Sequence, residues 1–162
     1  MAPVVHAMTE MPDADVQAIA HYIASFDGRN APEGTQARRS ALLEQSRTLQ
    51  ALERGEGSRV FGGSCASCHE GEGAHLYGTR PQLALNSNIH AQNPDNLLRV
   101  ILHGVAEPAH AQAAIMPGFA SILSDRQIVA LVSWLRLTMA PGEPAWSDIA
   151  SRLVRLRMAG SH

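Results

Sequence analysis

Cysteine occurs at only two positions in this chain, both inside the run Cys65-Ala66-Ser67-Cys68-His69. C-x-x-C-H is the spacing that attaches c-type haem. Two thiols add to the two porphyrin vinyl groups, and two intervening residues set their separation on one helical turn. The imidazole of His69 follows at once, so the same turn swings it under the iron as proximal ligand. Other uses of the pattern fit less well. A structural zinc site needs four protein ligands, and no second cysteine pair completes one. A thioredoxin-like C-x-x-C needs a βαβ setting, whereas this chain reads as helical. A plain disulfide leaves His69 without a task.

A chain of 162 residues points to one domain with a fragment of another. Aromatic residues make up only 4% of it against 45% hydrophobic residues, as expected where a porphyrin supplies apolar core. A formal charge of −2 gives no nucleic-acid footprint. All 13 basic residues are arginine. A GC-rich genome accounts for that usage, which also excludes a lysine-ringed docking face and favours a fixed place in a complex. Residues 1–10 have neither a basic nor an apolar signal-peptide region. No apolar run reaches the roughly 18 residues that would mark a transmembrane helix. Because haem c is attached outside the cytoplasm, a secreted precursor is expected, its leader removed or the chain cut from a longer one.

The periodicity predicts an amphipathic helix over 13–26, with Val16, Ile19, Ala20 and Ile23 on one stripe. After a Gly/Asn/Pro linker, a mostly polar surface helix runs from about Gln36 to Arg54. A short helix from Gly57 carries Val60 and Phe61 into the cysteine motif, and residues 70–94 read as loop around the haem. Asp95 to Leu102 is a helix stopped by Gly104, and Glu107 to Phe119 is loop again. Ser124 to Met139 is a capped helix with Ile128, Leu131, Val132 and Leu135 on one face. A last helix, Trp146 to Met158, turns Ile149, Leu153 and Leu156 inward and Arg152, Arg155 and Arg157 outward as a solvated face. The segment from Asp13 repeats the pattern of the segment from Ser124, which suggests the tail of a second domain of the same kind.

Haem iron in an electron carrier takes a second axial ligand from the protein. Met116, in the rigid segment Ile115-Met116-Pro117-Gly118-Phe119, is the leading candidate. His103 and His110 flank that loop as rivals. His75 and His90 read as solvated, and Met139 as core or surface. A His/Met pair gives a low-spin six-coordinate iron with a raised potential and leaves no open site for O2 or peroxide.

These residues resemble a class I cytochrome c domain. Gly57 and Phe61 match its first helix, and Trp134 the aromatic of its last. The resemblance implies that the carbonyl of Pro81, in Thr79-Arg80-Pro81-Gln82-Leu83, orients the His69 imidazole. It places Leu83 against the haem face. Arg80 either pairs with a propionate or stays a surface arginine.

Asn93 to Gly104 followed by Met116-Pro117-Gly118-Phe119 is similar to the third haem domain of triheme cytochrome subunits of bacterial membrane-associated dehydrogenases. Residues 1–5 and 13–26 resemble the end of the second haem domain, with Met1 at its axial position. That implies a C-terminal piece of a longer polyhaem subunit. Such subunits serve flavin dehydrogenases of alcohols and sugar acids, or molybdenum hydroxylases of N-heterocycles and aldehydes. The tail Pro141 to Trp146 leans toward the molybdenum branch.

The expectation is therefore an all-α class I cytochrome c fold with extra N-terminal helices and a short C-terminal helix. Residues 1–30 would be the remnant of a preceding cytochrome domain and 31–56 a linker helix. Residues 57–140 would be the haem domain, carrying one covalent haem c, and 141–162 a tail helix. The domain is read as a periplasmic, non-catalytic relay from a flavin or molybdenum dehydrogenase subunit to quinone, another cytochrome or an oxidase. Membrane association would be peripheral, through the complex. A haem peroxidase and a haem sensor or structural subunit stand as alternatives.

Overall fold

A computed structural model describes residues 7–8, 10–26, 33–70, 74–75, 78–79, 82–105 and 116–159. The described architecture is helical: α1 (Asp13–Phe26), α2 (Thr35–Leu52), α3 (Glu56–Ser64), α4 (Ala66–His69), α5 (Ser87–His90), α6 (Asp95–His103), α7 (Asp125–Met139) and α8 (Ile149–Ala159). A two-residue antiparallel ribbon, β1 (Ala74–His75) with β2 (Gly78–Thr79), pairs Ala74 with Thr79 and His75 with Gly78. None of the described helices is long and apolar enough to cross a membrane.

The crossing of α3 and α7 is the centre of the fold. Gly57 allows it: a Cβ there would run into the Ala130 carbonyl and the Trp134 Cβ, so the two backbones meet where a side chain would normally stand. One turn on, Phe61 packs against Trp134 with ring centroids 4.9 Å apart. The Trp134 indole N–H donates to the Glu53 carbonyl at 3.1 Å, which satisfies its polar edge. Helix α7 begins where the sequence says it must. Ser124 Oγ accepts from the Gln127 N–H, and the Ser124 N–H donates in return to the Gln127 side-chain oxygen.

Around this crossing Leu98 and Leu102 of α6, Ile128, Leu131 and Val132 of α7, and Leu153 of α8 form one buried core. Helix α2 lies against α7 and the 3-10 turn Leu83–Leu85, with Ser46 fully buried at its contact face. Helix α1 is the exception, since none of its residues is buried.

Three readings of the sequence need correction. Residues 70–94 hold more than loop: the 3-10 turn Leu83–Leu85 and helix α5 stand within them, the latter capped by Asn86 accepting from the Asn88 N–H at 2.9 Å. His90 is half-buried rather than solvated, with Nε2 2.7 Å from the Ala84 carbonyl. The arginines of α8 are not a plain solvated face. Arg152 bonds Asp95 at 2.9 Å and Asp148 at 2.6 Å. Arg157 bonds Asp125 and the carbonyls of Ala120 and Leu123. Only Arg155 of the three is exposed. The long stems of the other two reach over neighbouring helix ends, where their charges meet partners.

Candidate functional site

Helix α3 ends at Cys65, whose φ of −123° bends the chain into the single turn α4. The His69 N–H donates to the Cys65 carbonyl at 3.0 Å, so the two thiols and the imidazole are carried by one closed turn. No disulfide joins Cys65 and Cys68. Burial, with the charge of neighbouring Cys68 second, pushes the Cys65 thiol up from 9.0 to about 11.

This turn opens onto a cavity of about 440 Å³. Cofactor sites commonly span about 300–1,000 Å³ and are mostly apolar with few polar groups. Its walls are Phe61 from α3, Leu97 and Ile101 from α6, Leu131 and Leu135 from α7, and Ile89 from α5. Cys65, Cys68, His69, Leu83 and Met116 all line the same space. The sequence thus named five residues that the fold gathers around one cavity, although Met116 stands far along the chain from His69. Arg80 and Pro81 lie outside the described residues, as do His110 and the side chain of His75. Exposed His103 is not among the lining residues, and Met139 is buried in the core.

Met116 reaches the cavity on a strap of chain bound to the end of α6. The Val105 N–H donates to the Met116 carbonyl at 2.9 Å, and the Phe119 N–H to the Ile101 carbonyl at 2.9 Å. The second of these satisfies a carbonyl that a helix C-terminus leaves without an intrahelical donor. Sequence reasoning missed the pairing of Val105 with Met116, an isolated bridge that no run of alternating residues announces. It also missed Arg136. This side chain is 3% exposed, donates to the carbonyls of Ile89 at 2.5 Å and Pro144 at 2.9 Å, and lies 4.3 Å from the Trp146 ring centroid. It therefore ties the tail to Ile89, a wall of the cavity.

The donor set fits haem c. Two thiols suit two vinyl groups, one nitrogen and one thioether sulfur suit low-spin iron, and the walls suit a porphyrin. The sequence profile of the family described as cytochrome c matches residues 55–138, from just before α3 to the last turn of α7. The chain is 44% identical over 164 residues to a nicotinate dehydrogenase subunit of Pseudomonas putida, spanning 100% of this chain and 13% of that protein. It is 30% identical to the cytochrome c subunit of the quinone alcohol dehydrogenase of Gluconobacter oxydans, over 99% of this chain and 34% of the relative. Identity to the gluconate 2-dehydrogenase cytochrome c subunit of Pantoea cypripedii is 28%, over 90% and 34% respectively. The chain spans about a third or less of these relatives. With a C-x-x-C-H turn opening on an apolar cavity inside the matched segment, the chain belongs to the cytochrome c family, whose cofactor is covalent haem c.

Proposed function

We propose that residues 57–140 are a one-electron relay domain, in which Cys65 and Cys68 anchor the haem and His69 and Met116 ligate its iron. The convergence of His69 and Met116 on one cavity carries this reading. Haem c bound there supplies a reversible one-electron couple, and a His/Met ligand pair places its potential high. The chain's own residues do the rest. Phe61, Ile101, Leu131 and Leu135 would exclude water and Leu83 would cover a haem face. The family resemblance gives Pro81 the task of orienting the His69 ring and leaves Arg80 either to a propionate or to the surface. With His69 and Met116 both holding the iron, no open position would remain for a peroxide substrate, which speaks against the peroxidase alternative.

The donor is a dehydrogenase catalytic subunit of flavin or molybdenum type. The likeness to the nicotinate dehydrogenase protein favours a dehydrogenase of N-heterocycles. The acceptor is quinone, another cytochrome or an oxidase, and the setting is periplasmic, with any membrane association through the complex.

Helix α1 belongs, on this reading, to a preceding cytochrome domain. Its Ala18 and Tyr22 stand where Ala130 and Trp134 stand in α7, the pair that receives Gly57 of α3. Tyr22 and Phe26 are 66% and 73% exposed, so the face that α7 covers with α3 is open on α1. A helix of the α3 kind, from a second haem domain, is the partner it fits.

The test is an anaerobic redox titration followed by addition of carbon monoxide to the ferrous protein. A single one-electron wave with no Soret shift supports the relay. A Soret shift in the native ferrous state opens an axial position and contradicts it.

A further inference from the structure

We infer that Gly104 and Gly118 form a backbone clamp that sets the position of Met116, and hence the potential of the site. The inference rests on the ligand reading of Met116 above and concerns what holds that side chain in place.

Gly104 closes α6 with φ 72° and ψ −167°, a combination essentially restricted to glycine. A Cβ at Gly104 would collide with the Met116 carbonyl and would stand 2.7 Å from the Gly118 nitrogen. From the other side, a Cβ at Gly118 would stand 2.8 Å from the Leu102 carbonyl oxygen and 2.9 Å from the His103 carbonyl carbon. The two glycines thus face opposite sides of one contact between the end of α6 and the Met116 strap. Every obstructing atom is backbone, so no rotamer change relieves the crowding. The strap's hydrogen bonds to Val105, Ile101 and Leu102 fix its register. A side chain at either glycine must therefore push residues 116–118 away from α6, and Met116 and Pro117 line the cavity. Both glycines are positioning residues. Neither is among the cavity-lining residues.

The experiment compares Gly104→Ala and Gly118→Ala with native protein and with Gly142→Ala, where a Cβ meets nothing within 4 Å. Gly104→Ala adds backbone strain to crowding, whereas Gly118→Ala adds crowding alone. Three readouts apply: the long-wavelength charge-transfer band of oxidised methionine-ligated haem, the midpoint potential, and the carbon monoxide response of the ferrous form. The clamp predicts a weakened or lost band, a lower potential and a new Soret shift in both glycine variants, with Gly142→Ala unchanged. Should one glycine variant fail to accumulate, the other crowds the same contact from its opposite side and gives the same readouts. Variants that melt earlier but keep the native band and potential overturn the clamp while leaving the ligand reading intact. A native protein without the band overturns the ligand reading, and the clamp with it.

Discussion

In the haem-free chain the Cys65 thiol holds its proton up to about 11, because burial and then the charge on Cys68 oppose the thiolate. The folded chain thus binds this proton more tightly than the unfolded chain does. The associated stability is fully present below 9.0 and is lost as pH rises through about 11. Thermal melts of haem-free protein across that window should fall with pH, and Cys65→Ala should flatten the fall. The thiolate is the reactive form of cysteine, so Cys65 should alkylate far more slowly folded than denatured at neutral pH. Met116→Ala in the haem-loaded protein should lose the methionine charge-transfer band and lower the potential, because a thioether ligand favours ferrous iron. That Cys65, Cys68, His69 and Met116 would face one cavity was legible from spacing and context alone. Arg136 was not, because its partners stand 47 and 8 residues away and are backbone carbonyls, which carry no sequence signature.

Long helices were legible for a plain reason: each carries an apolar stripe that recurs at helical period, and α6 and α7 also carry their own stops and caps. Short elements were not. The turn Leu83–Leu85 and helix α5 are too brief for periodicity, and Asn86 caps one turn only. The arginines of α8 illustrate a further limit. Arg152 and Arg157 look like a solvated row in sequence, yet Asp95 and Asp125 that receive them lie 57 and 32 residues away. At this scale the α3–α7 crossing should dominate stability. Trp134→Ala removes the ring that packs on Phe61 and should cost about 3–5 kcal/mol by urea unfolding. Arg136→Met keeps the bulk but strands the Ile89 and Pro144 carbonyls. A loss of about 1–3 kcal/mol is expected, and Trp146 fluorescence should report a loosened tail.

Across the whole molecule, α2 and α1 differ in kind. Helix α2 covers α7 and the Leu83–Leu85 turn, so its removal should expose core and lower the melting temperature sharply. No residue of helix α1 is fully buried, so removing residues 13–26 should leave the melting temperature and the potential of the haem domain unchanged. A large change on α1 removal, read by melting and redox titration, would place it within this domain instead of the preceding one. The central proposal is a covalent haem c held between His69 and Met116 in the cavity beside the α3–α7 crossing. Its most direct measurement is the absorption spectrum of protein matured in a periplasm competent for haem attachment, recorded oxidised and dithionite-reduced. The expected spectrum has the sharp reduced α band of haem c and, on oxidation, the weak methionine charge-transfer band, abolished in Met116→Ala. The reduced band without the charge-transfer band would remove Met116 from the iron and turn attention to His103 and His110. A chain without haem from such cells would contradict the proposal outright.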